Sequence, residues 1–193
     1  FNVLGSDQVQ ALSAKQIKNL STDQMSKLAA ADAQEFSSAQ MKSFSAAQLN
    51  ALGSAQFGAL SSDNINALSA KQVGGLSSDT IKAFTTAQAA AMSYKVMAGL
   101  NSDNIKGLEA ADLEKLATDA IKGISAKVIG ALDSSQFNAL NSDQVQQLTA
   151  AQVKNISTSQ IAGMTSADLA EFGTQQLKAM TGAQMTGLSS AQI

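Results

Sequence analysis

An eight-residue repeat runs through this 193-residue chain, and it limits the possible folds more than any other feature. Residues 12–19, LSAKQIKN, give the unit: Leu, a cap residue, two small or charged residues, Gln, Ile or Val, and two spacers. Its four defining positions are named here the Leu row, the cap row, the Gln row and the Ile row. The Leu row is apolar at all 24 of its positions and the Ile row at all 25. We therefore expect residues 1–193 to form one continuous array without a domain boundary.

Each unit carries two signals for the start of a helix. Ser13 and Gln16 have the spacing of a capping box, in which the hydroxyl accepts from the Gln amide N–H and the Gln side chain accepts from the amide N–H of the cap residue. Leu12 and Ile17 have the spacing of a hydrophobic staple. Since both signals return every eight residues, the chain must start and end a helix in every unit.

Two other regular structures do not fit an eight-residue period. In one continuous helix the apolar stripe would drift by roughly 80° per unit and would face no constant core. In a strand the Leu and Ile rows, separated by five and three residues, would point to opposite faces. Helices this short do not hold alone in water and must pack against their neighbours. The sequence therefore predicts an all-α solenoid, a superhelical rod of about 24 very short helices, one per eight-residue repeat.

The residue before a Leu-row position is usually small. From Ala11 onward it is Ala or Gly in 15 of 23 cases. A small residue lets the chain turn sharply or lets a neighbouring helix come close, and we interpret it as the corner of the solenoid. The pattern leaves open how many helices make one superhelical turn.

Composition excludes several classes of function. The chain has no His and no Cys, so the ordinary general base and the activated thiol are missing, and we expect no enzymatic activity and no cofactor. Its formal net charge of −2 offers no basic field for nucleic acid. No apolar run approaches the length of a membrane span.

A row of single carboxylates is the one feature that suggests a metal. These residues lie two positions after the cap: Asp7, Asp23, Asp63, Asp79, Asp103, Asp119 and Asp143. A calcium loop needs several oxygen ligands within a few residues, whereas these residues are at least sixteen positions apart. An acid in the first turn of a helix suits the helix dipole, and we therefore expect no metal site.

The repeat resembles a known type of array. The pattern L-S-x-x-Q-[IV] is similar to the ALSxxQI octapeptide arrays of very long secreted or surface proteins of bacteria. The resemblance covers the whole chain, as in residues 60–65, LSSDNI, and 148–153, LTAAQV. It implies an extracellular or cell-surface location and a structural or adhesive stalk, with no catalytic residues to carry over.

The Gln row and one irregular stretch are the candidate interaction features. Capping accounts for the Gln row, although a regular series of amides also suits contact with a partner strand or a neighbouring molecule. In residues 92–131, Val96 and Val128 replace Gln, and the single Tyr of the chain, Tyr94, lies beside Val96. We predict a lateral self-contact at Tyr94, Val96 and Val128, with neutral drift in a redundant array as the alternative.

The two ends are the other candidate contact. Phe1 and Leu4 open the array and Leu188 and Ile193 close it in the same phase, without polar capping repeats. We expect a segment of a longer array, or a subunit that stacks end to end through these residues. The predicted function is a structural stalk or filament-forming subunit that associates with itself or with other cell-surface components. The alternative is an adhesin-like module that binds a peptide or a glycan in the solenoid groove.

Overall fold

The computed structural model describes residues 5–193, and this part of the chain is built of short helices without any strand. The predicted Phe1 and Leu4 contacts lie outside the described residues. The helices are α1 (Ser6–Gln10), α2 (Ala14–Lys18), α3 (Thr22–Ser26), α4 (Ala30–Gln34), α5 (Ser38–Met41), α6 (Ala46–Asn50), α7 (Ser54–Gly58), α8 (Ser62–Ala67), α9 (Ala70–Gly74), α10 (Ser78–Lys82), α11 (Thr86–Ala90), α12 (Tyr94–Met97), the 3₁₀ helix η1 (Asn104–Gly107), α13 (Ala110–Lys115), the 3₁₀ helix η2 (Thr118–Gly123), α14 (Ala126–Ile129), α15 (Ser134–Asn138), α16 (Ser142–Gln146), α17 (Ala150–Lys154), α18 (Thr158–Gly163), α19 (Ser166–Ala170), α20 (Thr174–Ala179) and α21 (Gly182–Thr186). The predicted all-α fold with one short helix per repeat is confirmed.

The helices begin as the capping box predicts. In the first Ser unit the amide of Ser13 donates to the Gln16 Oε1 atom at 2.9 Å, and the Gln16 amide donates back to the Ser13 hydroxyl. The helix then ends within one turn, because the Leu-row residue takes an extended conformation. Leu68, with φ −62° and ψ 141°, closes α8 and donates its amide to the Ile65 carbonyl at 3.1 Å. This tight last bond is of the 3₁₀ type that often ends short helices.

Successive turns of the superhelix contain between three and four repeats. Helix α8 packs against α5 and α11, which lie three repeats away on either side, and also against α12, four repeats ahead. The repeat number per turn is therefore not an integer, and each helix sits across two helices of the adjacent turn. The structure thus supplies the quantity that the eight-residue pattern left open.

The small residues before the Leu row allow adjacent turns to approach. No residue between 5 and 193 has a positive φ, so none of them is needed for a left-handed turn. A Cβ atom on Gly75 would instead lie 2.6 Å from the Ala46 Cβ atom, and one on Gly99 would lie 2.7 Å from the Val73 Cβ atom. Close helix approach, rather than a sharp corner, explains these positions.

The core is a single apolar column inside the superhelix. The Ile row is buried continuously from Val9 to Ile161, and the Leu row from Leu28 to Met164. Both rows face inward because each helix turns its Leu and Ile positions towards the axis. The apolar column therefore runs along nearly the whole described chain.

Candidate functional site: the amide ladder between turns

The Gln row makes the most regular polar structure in the molecule. In the unit around Gln48, the Oε1 atom accepts from the Ser45 amide at 2.8 Å and completes the capping box. The Nε2 atom of the same side chain donates to the carbonyls of Ile17 and Leu20, each at 2.8 Å. Gln48 therefore caps its own helix and also holds the C-terminal end of a helix in the preceding turn.

The same contact recurs along the chain and is named here the amide ladder. Every member donates to the Leu-row carbonyl 28 residues earlier, and most also donate to the Ile-row carbonyl 31 residues earlier. The members are Gln40, Gln48, Gln56, Asn64, Gln72, Gln88, Asn104, Gln136, Gln144, Gln152, Gln160, Gln176, Gln184 and Gln192. The ladder gives the Leu-row carbonyls a partner at the helix end, and it adds a second donor to Ile-row carbonyls that already accept from the Leu-row amide.

The interpretation that capping accounts for the Gln row is therefore incomplete, because the same side chains also bond to the preceding turn. The inter-turn bond is the functional role that sequence reasoning missed. Within the array the amides bond to the chain itself, so they are not available to a partner strand or a neighbouring molecule. Most ladder side chains are buried; Gln144, for example, is fully inaccessible to solvent.

A second set of bridges uses asparagine in the spacer positions. The Asn50 side chain donates to the Gly75 carbonyl at 2.9 Å and accepts from the Ser77 amide at 2.9 Å. Asn66 bonds in the same way to the Ala91 carbonyl and the Ser93 amide. These bridges tie a helix to the following turn, whereas the amide ladder ties it to the preceding one.

The irregular stretch, residues 92–131, interrupts the amide ladder. The burial of two of its residues corrects the predicted lateral contact. Val96 is 0% exposed and Val128 is 3% exposed, because the Gln row itself faces the interior. Neither valine is at the surface, so neither forms the predicted apolar patch; each replaces an amide by dry packing between turns. Tyr94 alone of the three predicted residues is exposed, at 58%.

A carboxylic acid occupies the ladder position at Asp112. Its side chain is buried, and burial raises the pKa of this carboxyl, against hydrogen bonds from Thr86 and the Glu109 backbone that lower it. A carboxylate cannot donate to a carbonyl as a Gln amide does, whereas a protonated acid can. Asp112 is therefore a buried titratable residue in the Gln row.

The row of Asp residues two positions after the cap lies at the surface. Asp23 pairs with Lys27 at 2.8 Å, and Asp119 pairs with Lys122 at 3.1 Å. Within residues 5–193, no three His, Cys, Asp or Glu side chains come together in a group that would hold a metal ion. In the same part of the chain, no helix has the length and apolar character needed to cross a membrane.

The two ends of the described rod differ from its interior. Gln16 and Gln24 complete their capping boxes, but their Nε2 atoms have no partner among the described residues. At the other end, the Ile-row side chains of Leu177, Met185 and Ile193 are 45%, 48% and 91% exposed. Leu188, also predicted to take part in an end contact, is half-buried against the core.

Comparison with known proteins identifies the repeat. A family model described as the ALTTAQ repeat matches residues 25–70, 121–150 and 161–193, which together make up more than half of the chain. No curated protein matches the chain.

Proposed function

The chain belongs to the ALTTAQ repeat family and is a repeat protein, and we propose that it works as a structural stalk or filament-forming subunit. The amide ladder is the observation that carries this proposal. Its bonds recur on both sides of the irregular stretch and, together with the continuous apolar column, tie successive turns to one another along the described chain. Such an array gives length and stiffness without forming a specialised site.

Self-association is the finer part of the proposal. One end presents the Gln16 and Gln24 Nε2 atoms, which have no partner among residues 5–193, and the other presents apolar side chains at Leu177 and Met185 that the next turn would cover. A further turn of the same repeat would satisfy both ends at once, whether it comes from a second copy or from more of the same array. A head-to-tail contact of this kind extends without closing, which favours filaments.

The remaining elements of the proposal rest on sequence. An extracellular or cell-surface location is supported by the resemblance to octapeptide arrays of bacterial secreted and surface proteins. The proposal of a role without catalysis is supported by the absence of His and Cys from the sequence.

Sedimentation and electron microscopy over a wide concentration range test self-association. We expect the chain to form rods that lengthen with concentration. The double substitution Leu177→Ser and Met185→Ser should reduce this lengthening, because it removes apolar surface from one end. Tyr94→Ser is the matched control, since Tyr94 is similarly exposed but lies on the side of the rod.

Three outcomes distinguish the readings. Loss of assembly in the double variant alone supports the end contact. Loss of assembly in Tyr94→Ser alone indicates instead that the contact lies on the side of the rod. A monomer at every concentration rejects the filament subunit and leaves a spacer within a longer polypeptide as the structural role.

A further inference from the structure

A surface groove crosses three successive turns near the beginning of the rod. It encloses about 460 Å³ and is lined by Lys18, by residues 42–46 with Gln48, and by Ser69, Lys71 and Gln72. Lys18 belongs to α2, Lys42 follows α5, and Lys71 belongs to α9, so each lysine comes from a different turn. This groove is named the first window.

The same groove recurs 64 residues later, where it is named the second window. It encloses about 280 Å³ and is lined by residues at equivalent positions, including Lys82, Lys106 and Ser135. Eight whole repeats separate the two windows, so the same repeat positions of the backbone surround each of them. The side chains decide what each window does.

The two windows differ in charge. In the first, Lys18, Lys42 and Lys71 form no ion pair with another described residue, and no acid lines the groove. In the second, Glu109 and Asp133 occupy the cap positions that are Ser45 and Ser69 in the first. Lys82 pairs with Glu109 at 3.7 Å. The first window is therefore a positively charged site on a chain whose net charge is −2, whereas the second is locally neutralised.

Most other polar groups of the first window already have partners. The hydroxyls of Ser45 and Ser69 serve their capping boxes, and Gln48 and Gln72 belong to the amide ladder. The three ammonium groups and the Ser43 hydroxyl, which has no partner among the described residues, remain for a ligand. Packed helices lie about 8–10 Å apart, so cations from three turns suit a chain with repeated negative groups better than one small anion.

From this arrangement we propose that the first window binds an acidic polysaccharide, a sugar chain that carries sulfate or carboxylate groups. Single-stranded nucleic acid is bound through exposed aromatic side chains and duplex DNA through many basic ones, but the only aromatic residue here, Phe44, is buried. A peptide would need open apolar pockets for its side chains, and Phe44 is closed off in the core. The site is distinct from the proposed stacking contact, because Gln16, Gln24, Leu177 and Met185 do not line it.

A matched pair of variants tests this proposal in the full chain. Lys18→Gln with Lys42→Gln removes two charges from the first window, and Lys82→Gln with Lys106→Gln removes them from the same positions of the second. The probe is a sulfated hexasaccharide, titrated by calorimetry at low ionic strength. We expect the first pair to weaken binding about tenfold and the second to change it by less than about twofold, since exposed ionic contacts contribute little each and are screened by salt.

A gain of binding provides a second test. Glu109→Ser, Asp133→Ser and Ser135→Lys change three residues of the second window to those at the same positions of the first, and Ser at position 133 keeps a capping hydroxyl. The second window then matches the first in its charged and cap residues, while Gly107 and Leu108 still stand where the first has Ser43 and Phe44. This variant should bind a second equivalent of hexasaccharide. Absence of binding by the native chain overturns the proposal, as do equal losses in the two Lys→Gln pairs. Equal affinity for an oligodeoxynucleotide or a polyglutamate peptide of the same charge overturns the assignment to a polysaccharide.

Discussion

Replacing Gln48 by Glu separates the two roles of the Gln row. A Glu side chain keeps an oxygen that can accept from the Ser45 amide, so the capping box survives. It loses the two bonds to Ile17 and Leu20 and places a carboxylate against their carbonyl oxygens, where the Gln nitrogen now lies 2.8 Å from each. Gln48 is only 4% exposed, so water cannot replace these bonds without opening the turn.

The size of the effect follows from those contacts. Two lost hydrogen bonds cost about 1 kcal/mol each, and the Leu20 carbonyl, left without a partner while the Ile17 carbonyl keeps its bond from the Leu20 amide, costs about 1–3 kcal/mol more. We therefore expect Gln48→Glu to lower the free energy of unfolding by about 2–5 kcal/mol at neutral pH. The loss should be smaller in acid, because a protonated Glu can again donate a hydrogen bond to a carbonyl.

Gln16→Glu is the matched control. Gln16 also completes a Ser-x-x-Gln box, but its Nε2 atom has no partner among the described residues and the residue is exposed. The change should alter stability by less than about 0.5 kcal/mol. Urea unfolding followed by circular dichroism measures both variants. Equal destabilisation at the two positions would refute the inter-turn role and leave capping as the sole function of the row.

Three further predictions concern single positions. Because burial raises the pKa of Asp112, its contribution to stability is fully present below about pH 3.9 and is lost as the pH rises through the pKa of the folded state. Asp112→Asn should remove this pH dependence, as measured by urea unfolding across the acidic range. Gly107→Ala should destabilise by about 1–3 kcal/mol, since its Cβ atom would overlap a carbonyl of the preceding turn, while Gly182→Ala, with nothing within 4 Å, should be neutral or slightly stabilising in thermal unfolding. Ser69→Ala should cost about 1 kcal/mol as a lost cap and Leu68→Ala about 2–5 kcal/mol as a core truncation, and equal losses would mean that caps rather than packing hold the array.

The local structure was predictable because it depends on contacts within one repeat. Ser13 and Gln16 specify a helix start, and Leu12 and Ile17 specify its apolar face. The offset between turns depends on contacts some 28 residues apart, and nothing within a single unit encodes it. The number of repeats per turn therefore required the three-dimensional structure.

The inter-turn role of the Gln row did leave a trace in the sequence. Glu serves a capping box as well as Gln does, yet Glu never occupies this row. A carboxylate accepts but does not donate, and the row holds Gln at 15 of its 24 positions but Asp at only three, which indicates that the amide nitrogen is used as a donor. The side to which the row faces is harder to predict. Polar residues suggest a surface and so predict exposed side chains at Val96 and Val128, although the row is buried.

The central claim, that between three and four repeats make one turn, is most directly tested by distances between spin labels. The chain has no native Cys, so single Cys pairs can be introduced at exposed spacer positions. Position 18 is paired in turn with positions 26, 34 and 42, one, two and three repeats away. Because Lys18 and Lys42 line one groove from adjacent turns, the 18–42 distance should be shorter than the 18–34 distance. A distance that increases steadily with separation along the chain would contradict the superhelical solenoid.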